Sequence, residues 1–155
     1  MDDFAIADQI AACAVRDYNI DPHRIYTTGC SAGGLQAGFM RSNYIAAVTT
    51  NSGGEVFPIM QQNPNHIPNA MTMHGAMGSD VVIVDFSQTS ATYDMAIKQA
   101  GGLAIDCNHG GGHCGSPAAL QSSGIQFMLD HPFGVSPEPY AMGLPSSFPT
   151  YCAIQ

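Results

Sequence analysis

The chain has 155 residues, 45% of them apolar, and a mean hydropathy of +0.03, which suits one globular core and excludes a disordered segment. Four Lys and Arg against twelve Asp and Glu give a net charge of −8 with no basic cluster, so a surface that tracks nucleic-acid phosphates is not expected. No apolar run reaches the ~18 residues of a membrane span, and the acidic start MDDFAIADQ is unlike a basic leader, so neither a membrane partner nor a visible secretion signal is expected.

Residues 3 to 16 carry Ile6, Ile10, Cys13 and Ala14 at helical spacing, with Asp2 or Asp3 placed to cap the start. After the Asp21-Pro22 turn, Arg24 to Thr28 reads as a short strand, and the glycines beyond Ser31 open a helix through about Met40. Ala46 to Thr50 is a second strand ending in Asn51-Ser52-Gly53-Gly54. Residues 54 to 68 have the Pro and Asn density of a functional surface loop. Asn69 to His74 is a third strand; Ser87 caps a helix to about Gln99, and Leu103 to Cys107 is a fourth strand. Ser116-Pro117 starts a last helix with Leu120, Ile125, Met128 and Leu129 facing inward, closed by His131-Pro132. A Pro-rich tail, 132 to 155, completes what reads as one domain over residues 1 to 155. The alternation predicts an α/β fold, a mostly parallel sheet of about four strands with helices on both faces.

The stretch Thr28-Gly29-Cys30-Ser31-Ala32-Gly33-Gly34 puts a serine where strand passes into helix. In such a G-x-S-x-G turn, small residues at Gly29 and Gly33 permit a sharp bend from which the hydroxyl projects. The following helix aims free N–H groups at the same place, and Ala32 N–H is the expected oxyanion donor. A serine hydroxyl needs a base and an acid to orient it, and both follow downstream. His113, in Cys107-Asn108-His109-Gly110-Gly111-Gly112-His113-Cys114, is the expected base; His109 competes, or bonds its own backbone. Asp80, after the third strand, is the expected acid, with Asp85 and Asp106 behind it; Asp85 alternatively caps the next helix.

Five cysteines suggest an oxidising compartment, and the odd number leaves one thiol unpaired. Cys30 adjoins Ser31 and Cys114 adjoins His113, so a meeting of serine and histidine brings the two cysteines within disulfide reach. The pairing of Cys13, Cys107 and Cys152 stays open. Two other readings stay open as well: a structural zinc site of Cys107, His109, His113 and Cys114, and a binding or structural module that keeps the motif without activity.

These residues resemble the α/β-hydrolase esterases of the polyhydroxybutyrate depolymerase and feruloyl esterase type, near carbohydrate esterase family one. Asp21-Pro22-His23-Arg24-Ile25-Tyr26 with TGCSAGG is similar to their nucleophile segment, His74-Gly75 with Asp80 to their acid segment with two extra residues, and GGGHCGSP to their histidine turn. The resemblance covers about residues 5 to 130. It implies a secreted or periplasmic ester hydrolase without a cofactor or metal, acting on polyester or feruloyl- and acetyl-type esters: Ser31 attacks, His113 shuttles the proton, and Asp80 orients the imidazolium. Members of the family also carry upstream strands and a loop that supplies a second oxyanion N–H. The resemblance therefore implies a truncated form of the fold, with the Ser31 strand at an exposed edge, and two readings stay open: another subunit, in a homo-oligomer, covers that edge, or the chain is a fragment.

Overall fold

The computed structural model describes residues 3–40, 44–58, 63 and 65–155. Parts of the 54–68 loop and the Asp2 alternative for the first cap lie outside them. In chain order the elements are α1 (Asp3–Tyr18), β1 (Tyr26–Cys30), α2 (Ala32–Phe39), β2 (Ala47–Asn51), β3 (Asn69–His74), α3 (Phe86–Gln99), β4 (Ala104–Asn108), α4 (Ala118–Asp130) and β5 (Cys152–Ile154). Among the described residues the strands form one five-stranded sheet in the order β1-β2-β3-β4-β5. The first four are parallel and β5 is antiparallel to β4.

The α/β architecture follows from side-chain alternation along strands covered on both faces. Ala47, Met71, Met73, Ile105 and Cys107 point to one side, where Leu120 and Phe127 of α4 cover them. Val48, Ala70 and Ala104 point to the other, beneath Tyr93 and Ile97 of α3. Register is direct along the sheet, with Cys30 opposite Asn51, Asn51 opposite Met73 and Met73 opposite Cys107, so the carboxyl ends of the parallel strands form one rim. The turns that follow β1, β2, β3 and β4 all leave from that rim, and they carry Ser31, Ser52, Asp80 and His113.

The structure corrects several expectations. The tail is not all loop: β5 adds a fifth strand, held to β4 by a Cys107–Cys152 disulfide. Tyr140 and Phe148 of the tail are buried against Phe127, so this apolar stretch completes the core. On α4 the inward residues are Leu120, Ser123, Gly124 and Phe127, while Ile125 and Leu129 face solvent. The α1 stripe is not core either: no residue of α1 is buried, and Ile6, Ile10, Cys13 and Ala14 line a surface hollow with Gln9 and Tyr18. The cap of α3 is Asp85 rather than Ser87.

No helix among the described residues is long and apolar enough to cross a membrane. The two disulfides point to an oxidising, extracellular compartment, since cytosolic thiols are kept reduced. Cys13 is the exposed free thiol.

Candidate functional site

The chain passes from β1 into α2 through Ser31, whose backbone stands at φ 59° and ψ −127°, a positive-φ conformation that non-glycine residues seldom adopt. Such a residue carries strain of order 1–3 kcal/mol and persists only where its surroundings over-determine it. Here Ser31 N–H donates to Asn51 O at 3.0 Å, and Ser31 O accepts from Leu35 N at 2.9 Å. The hydroxyl makes no capping bond to α2, so the sharp turn presents it instead of spending it on the helix. Ala32 is the first residue of α2, where backbone N–H groups have no partner within the helix.

The glycine requirement differs from the expectation in one respect. A Cβ at Gly29 would overlap the Gly33 carbonyl, so Gly29 is obligatory, but a Cβ at Gly33 would meet nothing. The second tight position is Gly34, where a Cβ would stand 2.9 Å from Asn51 O and 3.0 Å from Gly53 Cα. This close approach seats α2 against the turn after β2.

Asp80 is fully buried and accepts three hydrogen bonds: from His113 Nδ1 at 2.8 Å, from Ser52 Oγ at 2.7 Å and from Gly75 N at 2.9 Å. Burial alone would push its carboxyl up. The Gly75 N–H, the Ser52 hydroxyl and His113 outweigh burial and hold the carboxyl below its usual range. With Nδ1 engaged, Nε2 of His113 is left for chemistry. The imidazole is 29% exposed, and the buried Phe86 ring lies against it at 4.9 Å between centroids.

Cys30 and Cys114 are joined in a disulfide with Cα atoms 5.9 Å apart, closing a sequence separation of 84. A nitrogen of His113 lies within 4.8 Å of both sulfurs. The residue before Ser31 is thus covalently tied to the residue after His113.

The other candidates have separate partners. Asp85 caps α3, accepting from Ser87 N at 3.0 Å and Ser87 Oγ at 2.6 Å, and it also accepts from Gly78 N. Asp106 pairs with His74 Nε2 at 2.6 Å. His109 accepts from Gly111 N at 3.2 Å, the local turn bond expected of it. The four proposed zinc donors do not assemble, because Cys107 is bonded to Cys152 and Cys114 to Cys30. Cys30, His113 and Cys114 do cluster, yet both sulfurs are consumed by their mutual bond and offer no thiolate to a metal.

Ser52 was missed in the sequence. Its buried hydroxyl donates to Asp80 and accepts from Cys114 N at 2.8 Å, joining the acid turn to the histidine turn. Beside it, Asn51 Nδ2 donates to Gly115 O at 3.1 Å. The signal available was positional: Asn51-Ser52-Gly53-Gly54 leaves the same sheet rim as Gly29-Cys30-Ser31.

In class, the molecule is an α/β protein with a mostly parallel sheet whose polar residues gather beyond its carboxyl rim. No family model matches the chain, and no curated protein matches it. Among solved structures it is similar to the protein whose crystal structure is described as sOPH Native, with a TM-score of 0.67 and 18% identity. The match covers all of this chain and 60% of that one, so the likeness establishes the fold.

Proposed function

We propose that the protein is a serine-dependent carboxylic ester hydrolase with Ser31 as nucleophile, His113 as general base and acid, and Asp80 as the group that orients the imidazole. The reading is carried by the Asp80–His113 bond, a fully buried carboxylate on Nδ1 at 2.8 Å, in a turn bonded through Cys114 to the neighbour of the strained serine. In this mechanism His113 Nε2 takes the Ser31 proton as Oγ attacks the acyl carbon. The imidazolium then protonates the leaving alcohol, and water releases the acid by the reverse steps. Ala32 N–H supplies one oxyanion donor.

An ester with an apolar acyl or polymeric portion is the substrate class we propose from the apolar side chains that the Asp80 loop leaves exposed. Met77, Val82 and Ile83, on the loop that carries Asp80, are 74%, 60% and 94% exposed. Polyester and feruloyl- or acetyl-type esters are the substrate classes that the sequence resemblance adds.

The test is labelling with a fluorophosphonate probe, followed by peptide mapping and assay of short-chain p-nitrophenyl esters. The expected result is one adduct at Ser31 and ester turnover that Ser31→Ala abolishes. A chain that takes no adduct and turns over no ester is instead a non-catalytic binding module.

A further inference from the structure

A second histidine–carboxylate pair lies directly behind the first. His74 is the last residue of β3 and is 5% exposed. Its Nδ1 faces Gly75 O at 2.7 Å, and its Nε2 faces Asp106 Oδ1 at 2.6 Å. Gly75 in turn gives its N–H to Asp80 Oδ2. No residue larger than glycine fits there, since a Cβ would overlap the Gly111 carbonyl and stand 2.9 Å from Asp80 Cβ. Gly75 is therefore a wedge between the acid and the histidine turn, and its peptide direction sets one of the three bonds on Asp80.

We infer that His74 is a positioning residue for the Asp80–His113 pair, acting through the Gly75 backbone and anchored from β4 by Asp106. This rests on the hydrolase reading above for its consequence, though not for its geometry. Both partners of the imidazole are acceptors, a carbonyl and a carboxylate, so both ring nitrogens donate and His74 is an imidazolium. Burial opposes that charge. The bonds to Asp106 and Gly75 and the charge of Asp106 outweigh it and leave His74 above the ordinary imidazole range.

The groups facing this imidazolium are Asp106 from β4, Asp94 and Lys98 from α3, His109 from the turn after β4, and Asp80 across Gly75. Deprotonation at alkaline pH leaves the single proton on Nε2, where the carboxylate holds it. Nδ1 then turns a lone pair toward Gly75 O, and attraction becomes repulsion. The wedge loosens, and Asp80 loses a well-directed donor.

The experiment measures the Ser31 fluorophosphonate labelling rate against pH in the full chain, beside the His113 ring Cε1–H resonance by NMR, for wild type, His74→Asn, His74→Phe and Asp106→Asn. Asparagine places an amide N–H near the Nδ1 position and does not titrate; phenylalanine removes the donor. The wild type is expected to lose labelling on an alkaline limb. His74→Phe should label about tenfold more slowly, as expected when an orienting contact loosens. His74→Asn should recover most of the rate and lack the alkaline limb, and Asp106→Asn should move that limb to lower pH.

An alkaline limb unchanged in His74→Asn, or unmoved by Asp106→Asn, overturns the inference. So does a rate in His74→Asn as low as in His74→Phe. If the wild type takes no label at Ser31, the hydrolase reading fails. The His113 resonance still decides this one, through a second inflection in wild type that disappears in His74→Asn. A His74 variant that does not fold leaves the wild-type and Asp106→Asn resonances to decide it.

Discussion

Ser52 sits at φ 46° directly after β2, and its hydroxyl does two jobs that no other atom of the site combines. It donates a hydrogen bond to Asp80 and accepts one from the Cys114 amide. Removing the oxygen leaves that part-buried amide without its partner, which costs about 1–3 kcal/mol. Ser52→Ala should therefore lower denaturant stability by about that amount. Under the hydrolase reading it should also lower kcat by about 10- to 100-fold with little change in KM, because the lost contact orients the acid rather than the substrate. Parallel chemical denaturation and steady-state ester kinetics check both halves. Equal loss in kcat and KM terms, or no loss of stability, would contradict this role. Glycine at this position suits the positive φ but supplies no hydroxyl, so Ser52→Gly should match the alanine variant in rate.

Among the elements, α3 shows how a local cap serves the site. Asp85 accepts from Ser87 N and Ser87 Oγ at the start of the helix and reaches back to Gly78 N, closing the loop that contains Asp80. Asp85→Ala should lower the thermal and denaturant unfolding midpoints, as expected when an N-cap is lost. Most elements were legible because their signals are local: apolar residues at helical spacing, Gly and Pro at the turns, and β-branched runs in the strands. The serine, histidine and aspartate positions were legible for the same reason, since each lies in a Gly-rich turn after a strand. What escaped depends on distant partners. The three residues of β5 carry no strand signal of their own and exist through Cys107–Cys152 and pairing to β4. On α4, Ile125 and Leu129 look like core residues, yet the helix turns Leu120 and Phe127 inward because those meet Met73, Tyr140 and Phe148. Ser52 escaped because its importance lies in which two turns its hydroxyl reaches, and spacing along the chain does not encode that.

At the scale of the whole molecule, two buried carboxyls with opposite shifts contribute to stability against pH. Asp80 is held below its usual range, so its contribution is present at neutral pH and is lost as pH falls through its folded-state value. Asp94 is the reverse. It is 3% exposed on α3, accepts from Thr72 Oγ1 at 2.8 Å through Oδ2, and has no partner for Oδ1 among the described residues. Burial, only partly offset by the Thr72 bond, pushes its carboxyl well above the usual range, and the nearby Asp106 charge adds to this. The folded protein therefore holds a proton on Asp94 that the unfolded chain releases above about pH 4. In that window the unfolded state binds fewer protons, so this residue makes stability fall as pH rises until the folded-state value is reached. Asp94→Asn keeps an oxygen for Thr72 and removes the titration. The variant should gain stability relative to wild type as pH is raised from 4 to 8, with the difference shrinking to a pH-independent offset below about pH 4. Denaturant midpoints of both proteins across that range, at constant ionic strength, measure the slope. A stability difference that stays flat with pH would mean that Asp94 is ionised in the folded protein, despite its burial beneath the sheet.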